Sequence, residues 1–220
     1  MSEGAYPYET PAGSATLVLV RHGESLWNAA GVLQGQQCNG LSELGLAQAQ
    51  AVADHVGKAH ADAALIARSD IERVAQTSAP AEERLGLPVV VDARLREVDL
   101  GEWSGLPRAD VLAAHRDDLL AWLRCEDVRP GHGETLTEMR ARVWAGVDDL
   151  GARVLAEGGG TALVFTHGGP IRTAVAAVMG LEPGAERHLQ PVRNGSLSLI
   201  RLDPDGAWRL IAYNRVDHLP

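Results

Sequence analysis

Apolar positions along the 220-residue chain fall into short clusters separated by longer stretches of mixed character. Residues 16–20, "TLVLV", form a compact β-branched run that predicts a strand buried on both faces. From Ser42 the pattern changes to Ala, Leu and Val at helical spacing, with Gln and Asp between them. This predicts a helix to about Lys58. "ALIA" at 64–67 is a second strand. Ser69 and Glu72 have capping-box spacing and put a helix start at Asp70, with Pro80 expected to kink or interrupt it. "VVV" at 89–91 predicts a short strand and 92–106 a loop containing Gly101 and Gly105. Helical pattern resumes near Pro107 and runs to about Arg124.

The second half repeats the alternation. "RPGHGE" at 129–134 is a loop, and Thr135 with Glu138 repeats the capping-box spacing before a helix to about Glu157. "GGG" at 158–160 separates that helix from the apolar strand at 161–166, and Ile171 to Met179 reads as a helix. "SLSLIRLD" and "AWRLIAYN" flank "PDG", a hairpin signal. Alternating β and α elements predict a three-layer α/β/α sandwich with a mainly parallel central sheet and a C-terminal hairpin. The opening "MSEGAYPYETPAGSA" is polar and has no basic or apolar leader. It predicts a flexible tail over 1–13 ahead of one domain over 14–220.

Two strand ends carry the chemistry. "LVLVRHGESLWN" at 17–28 finishes an apolar run with Arg21, His22 and Gly23, and "TALVFTHGGPIR" at 161–172 repeats the plan with His167 and Gly168. In parallel sheets, ligands bind beyond the carboxyl ends of the strands at a topological switch point. If the two strands are neighbours, both imidazoles face one pocket. Arg21 offers a fork of donors suited to phosphate or carboxylate. Gly23 removes a side chain where a ligand approaches the backbone. Neutral His22 presents a ring lone pair, and attack at phosphorus gives a phosphohistidine. Arg21, Arg73 and a protonated His167 are candidates to stabilise the phosphoryl oxygens, and Glu97 or Glu24 to protonate the leaving alkoxide.

Charge and residue counts narrow the alternatives. Twenty Lys and Arg against 29 Asp and Glu give −9, which argues against a nucleic-acid or anionic-membrane surface. Lys58 is the only lysine, and no apolar run approaches transmembrane length. Zinc is the chemical rival, held by His22, His167 and a carboxylate. The fixed charge of Arg21 beside His22 and the lack of HxH or HExxH spacing oppose it, so neither metal nor cofactor is expected. Cys38 and Cys125 make no metal spacing and no disulfide framework. Free thiols in a reducing cytosol are expected, hence a cytoplasmic protein. His55, His60, His115, His188 and His218 read as surface or packing residues, and the five tryptophans as core.

Taken together, "RHGESLWN", "SDIERVAQT", "LREVDLGEW" and "THGGPIR" resemble, in order, the motifs of the histidine phosphatase superfamily, from about residue 16 to about 200. The resemblance implies an α/β/α sandwich and a metal-free phosphohistidine mechanism. It implies that His22 is the phosphorylated histidine, Arg21 and Arg73 the pocket arginines, His167 the second histidine and Glu97 the proton donor. It also implies that Asn28 and Gln34 line the phosphate pocket and that the backbone of Gly168 approaches the substrate. Glu24 belongs to the first motif, where a structural role competes with the acid role. His132 departs from the small residue usual before Gly-Glu-Ser/Thr, and is either a substrate-tuning or an exposed loop residue.

The family contains phosphatases and phosphoglycerate mutases. Its mutases resemble one another in a longer insertion between the Glu motif and the second histidine. Here about thirty residues separate Glu97 from "GHGET", and "LREVDLGEW" resembles the phosphatase version. The expected partner is therefore a small phosphomonoester, a phosphosugar or phosphoglycerate-type ester, hydrolysed by a metal-independent phosphatase. A cofactor-dependent mutase and a non-catalytic phospho-ligand binding domain are the alternatives. The leaving group is not legible, nor is the oligomeric state, for which a homodimer is one open assembly.

Overall fold

The first strand, β1 (Ala15–Arg21), lies near the middle of a six-stranded sheet in a computed structural model that describes residues 10–220. Up to residue 9, the expected tail lies outside the described residues. Sheet order is β3 (Val89–Val91), β2 (Leu65–Arg68), β4 (Gly160–Thr166), β1, β5 (Leu197–Leu202) and β6 (Trp208–Arg215). The first four strands are parallel, and β5 and β6 are the antiparallel hairpin. β1 and β4 are neighbours, with Arg21 opposite Thr166, so the condition for the histidines to meet is fulfilled. The carboxyl ends of β1, β4 and β2 lie side by side. There His22 N–H donates to the Thr166 carbonyl and Ser69 N–H to the Phe165 carbonyl.

Alternation along each strand separates two cores. Leu17, Leu19, Leu65, Val164 and Ile200 face one side, against α6 (Leu136–Ala156), α7 (Gly168–Val178) and the α4–α5 pair (Arg108–Ala114 and Arg116–Leu123). Val18, Val20, Ile66, Leu163 and Phe165 face the other, against α2 (Glu43–Ala59) and α3 (Glu72–Leu85). The result is the three-layer sandwich with a mixed, mostly parallel sheet. Thr135 and Glu138 close the expected capping box at α6, and Ser42 caps α2.

Four local expectations are corrected. α3 starts at Glu72 rather than Asp70, capped by Ile71 with no side-chain bond. Ser69 Oγ is taken up by Ile71 N–H at 3.3 Å and by His167, while Glu72 accepts from Gln76. Pro80 neither breaks nor ends α3, because Val74, Thr77, Ser78 and Ala81 bury that face and outweigh one lost backbone bond. The helix expected over 107–124 is two helices meeting at His115, whose φ of −134° leaves helical geometry. α7 begins at Gly168, three residues before the expected start, so His167 is its N-cap. A short helix α1 (Leu26–Ala30), closed by a Ser25–Asn28 capping box, and two 3-10 turns at 93–95 and 101–103 were not foreseen.

Candidate active site

The strand ends and helix starts converge on His22, which is 2% exposed. Its Nδ1 lies 2.7 Å from the Gly23 carbonyl, so Nδ1–H donates there. Arg73 Nε–H then donates to Nε2 over 3.2 Å, which fixes the lone pair on Nε2. Burial, with Arg73 and Arg21 beside it, holds the ring well below the usual histidine range, and therefore neutral. A neutral imidazole with a directed lone pair, framed by two guanidinium groups, is the arrangement a nucleophile toward an anionic centre requires.

The arginines are themselves held. Arg73, in the first turn of α3, is 1% exposed and donates to the carbonyls of Gln37 (2.6 Å) and Gly35 (2.8 Å). Arg21, at the end of β1, donates to the Val192 carbonyl, while its buried Nε has no partner among the described residues. A Cβ on Gly168 would stand 3.3 Å from that Nε, so a bare residue lets helix α7 start against the guanidinium. Burial lowers the pKa of both arginines, and Glu97 opposes that shift as their countercharge.

His167 is completely buried, with its ring centroid 5.3 Å from that of His22 and the planes at 65°. Its Nε2 lies 3.0 Å from Ser69 Oγ, and its buried Nδ1 has no partner among the described residues. Burial, then Arg73, His22 and Arg21, push it well below the usual range. The imidazolium expected to face the phosphoryl oxygens would need their negative charge to offset burial and the neighbouring guanidinium groups. Arg21 lines the adjoining cavity, whereas His167 stands behind His22 and is not among the lining residues.

Arg21, His22, Asn28, Gln34, Arg73, Glu97 and Gly168 all line one cavity of about 330 Å³. Asn28 Oδ1 already accepts from Ser25 N–H and Asn194 Nδ2, which leaves its own amide nitrogen as the donor for a ligand. Gln34 Oε1 accepts from Ser25 Oγ, with the same consequence. Glu97 accepts from Val98 N–H (3.0 Å) and from Gly169 N–H (3.2 Å) in the first turn of α7.

Glu24 is not part of this wall. It accepts from Ser42 Oγ at 2.8 Å and so supports the cap of α2. His132 sits on an exposed turn with φ +62°, outside the cavity. Gly23 has a different use from the one expected: a Cβ there would stand 2.4 Å from the Gly45 carbonyl, so the missing side chain admits α2 rather than a ligand. Trp122 packs against the larger core, as expected, and also lines the cavity.

Several contributors escaped sequence reasoning. Thr77 Oγ1 accepts from Gly23 N–H and donates to the Arg73 carbonyl, tying the loop that carries His22 to α3. Asn194 donates to the His22 carbonyl, and "NG" before β5 was the available signal. Arg142 grips Glu134 through two bonds of 2.8 and 2.6 Å and donates to the carbonyls of Arg94 and Arg96, which braces the Glu97 loop.

A mostly parallel sheet whose strand ends carry Arg21 and two histidines, with Arg73 added from the start of α3, defines a class: α/β proteins with a cationic pocket at the carboxyl ends of the strands. The chain belongs to the histidine phosphatase superfamily, branch 1, whose family model matches residues 17–216. It is 38% identical over 170 residues to a glucosyl-3-phosphoglycerate phosphatase of Mycobacterium tuberculosis, covering 75% of each chain. It is 35% identical over 190 residues to a probable phosphoglycerate mutase, GpmB, of Yersinia pestis, covering 83% of this chain and 82% of that one. The native structure of a mycobacterial glucosyl-3-phosphoglycerate phosphatase superposes with a TM-score of 0.80 at 33% identity, over 91% of this chain and 98% of that one. Among the described residues, no helix is long and apolar enough to cross a membrane.

Proposed function

We propose that the protein is a metal-independent phosphomonoesterase that works through a phosphohistidine on His22. Its substrate is a small phosphosugar or phosphoglycerate-type ester, in keeping with the activity named for its mycobacterial relative. One observation carries this reading: His22 Nε2 holds its lone pair between Arg21 and Arg73 in a buried, neutral ring. In the first step Nε2 attacks phosphorus, the bond from phosphorus to the ester oxygen breaks, and Glu97 gives the departing oxygen a proton. In the second, Glu97 as carboxylate takes a proton from water, the oxygen attacks phosphorus, and the N–P bond breaks. Inorganic phosphate leaves and His22 is neutral again. Both guanidinium groups and the N-terminus of α7 face the charge on the phosphoryl oxygens. The two free thiols support a cytoplasmic location as part of the proposal.

Rapid quench of the parent protein with labelled substrate should trap an acid-labile phosphoryl group on His22, absent from His22→Ala, with turnover intact after exhaustive chelation. Label on His167, or activity restored only by zinc or manganese, would overturn the reading. The likeness to a probable phosphoglycerate mutase supports a second reading, interconversion of phosphoglycerates. It predicts dependence on a bisphosphate primer and little phosphate release, whereas the phosphatase needs no primer.

A further inference from the structure

The turn at 193–196 grips the backbone that carries the His22 ring. Ser196 N–H closes it on the Arg193 carbonyl (3.1 Å), and Gly195 N–H reaches the carbonyls of both Arg21 (3.1 Å) and His22 (3.2 Å). The Asn194 amide gives the His22 carbonyl a second donor at 3.1 Å and reaches Asn28 Oδ1 at 3.2 Å. Gly195 holds φ +70°, a left-handed conformation open to glycine at no steric cost. Its own carbonyl is met by His218, whose Nε2 lies 2.9 Å away. A carbonyl only accepts, so Nε2 carries the proton and donates. Asn214 ties down the preceding stretch, accepting from Arg193 N–H and donating to the Pro191 carbonyl. His218 thus holds the residue of the turn that bonds to both Arg21 and His22.

His218 is itself seated. Its ring lies 4.9 Å from that of His55 on α2, with the planes at 34°, and the His60 ring is 6.3 Å from His55. The three imidazoles line a second cavity of about 190 Å³ with Leu197, Leu199, Arg215 and Asp217. Arg215 engages the Asp217 carboxylate at 2.7 Å. Burial, with His55 and Arg215 beside it, holds His218 below the usual histidine range against the pull of the Gly195 carbonyl and Asp217. At neutral pH the ring is therefore a neutral donor. A Cβ on Gly195 would stand 3.1 Å from Leu219 Cδ2, so the residue after His218 packs on the same turn.

We propose that His218 is a positioning residue: by holding the Gly195 carbonyl it fixes the turn that aims the His22 imidazole at phosphorus. This rests on the phosphohistidine reading. Neither His218 nor Gly195 lines the phosphate cavity. The effect of His218 therefore passes through the backbone of Arg21 and His22, and falls on the rate of phosphoryl transfer rather than on capture of the substrate. A small misdirection of a nucleophile is enough to slow its attack, because reaction needs a near-attack geometry.

The test is single-turnover phosphoenzyme formation from nitrophenyl phosphate by the full chain. His218→Ala should slow it about 3- to 10-fold at saturating substrate, the range of one neutral hydrogen bond, with KM changed by less than about twofold. His218→Gln places an amide N–H where Nε2–H stood and should recover most of the rate. His218→Asn is one methylene shorter and should not, and the Gln–Asn comparison carries the test if the Ala variant unfolds. The ring nitrogen resonances of His22, recorded by NMR without substrate, should move in His218→Ala and His218→Asn and return in His218→Gln. Parent-like rates in the Ala and Asn variants, a loss confined to KM, or a Gln variant no faster than Asn overturns the role of His218 and leaves the phosphohistidine reading standing. A parent that forms no phosphohistidine on His22 overturns that reading, and the resonances still decide whether His218 fixes the ring: unmoved in every variant, they overturn the proposal as well.

Discussion

Arg73 Nε–H donates to His22 Nε2 over 3.2 Å, so a cation engages the lone pair of the proposed nucleophile. Substrate must displace that contact. On the proposed mechanism the donor then turns from the ring to a phosphoryl oxygen, while Nη1 and Nη2 stay on the carbonyls of Gln37 and Gly35. Arg73→Gln removes the oxyanion donor and the anchor together, and should lower kcat by about 10²–10³-fold, the usual cost of one such donor. Arg73→Lys keeps the charge but not the fork, and should recover only part of that loss. Single-turnover formation of phosphoenzyme is the measurement. Unchanged rates in both variants would remove Arg73 from the phosphoryl site.

The buried histidines set a pH dependence of stability. His22 and His167 both have folded pKa values well below the ordinary histidine range. On acidification the unfolded chain takes up their protons first, so it binds more protons than the native state below about pH 6.5. Stability therefore falls as pH drops from about 6.5 toward the depressed folded values, and rises again as pH is raised. Thermal melts from pH 8 to 5 should show Tm declining over the acid half of that range. His167→Asn should flatten the decline. Inorganic phosphate should also oppose it, because an anion between the two rings favours their protonated forms.

The apolar runs made the sheet legible, since a short buried strand leaves a continuous signature. The paired histidines of the candidate site were legible for a related reason: His22 and His167 both follow such runs directly. What stayed hidden depends on contacts between distant segments. Ser69 looks like a helix cap because its spacing to Glu72 suits one, yet the fold sets its hydroxyl 3.0 Å from His167 Nε2. Arg142 is one arginine among many on a helix until α6 docks against the loop carrying Glu97. Gly23 suggested an open approach for a ligand, and only packing reveals that a helix fills that space.

Close approach of two backbones at Gly23 and Gly45 gives a separate structural prediction. A Cβ on Gly45 would lie 2.0 Å from the Glu24 carbonyl, with no flexible side chain to yield. Gly45→Ala should destabilise the fold by about 1–3 kcal/mol as overpacking. It should also loosen the His22 loop and lower kcat. Urea unfolding at neutral pH gives the first quantity. A parent-like midpoint would mean that α2 is free to shift. Glu24→Gln keeps an acceptor for Ser42 Oγ and should leave the leaving-group dependence of hydrolysis unchanged.

Glu97 and Gly169 give the sharpest test of the proton donor. Glu97 Oε2 accepts from Gly169 N–H at 3.2 Å, and a Cβ on Gly169 would stand 2.2 Å from Oε1. Gly169→Ala should therefore push the carboxyl out of place without changing its chemistry, while Glu97→Gln keeps the place and removes the acid. Alkyl phosphates depart as poor alkoxides and need a proton, and general-acid help is typically worth about 10²–10⁴-fold. Nitrophenyl phosphate needs far less, because its ring stabilises the departing anion. Both variants should thus lose about 10²-fold or more on an alkyl phosphate in single turnover, while retaining most of the nitrophenyl rate at the phosphorylation step. Single turnover is required, because on the proposed mechanism Glu97 also serves as base when water attacks the phosphohistidine, and loss at that step would mask the phosphorylation step in the steady state. Equal losses on the two esters in Glu97→Gln would mean that the carboxylate only positions Gly169 and the arginines. A leaving-group signature in Glu97→Gln but not in Gly169→Ala would mean that the loop yields and the helix start does not hold the acid in place.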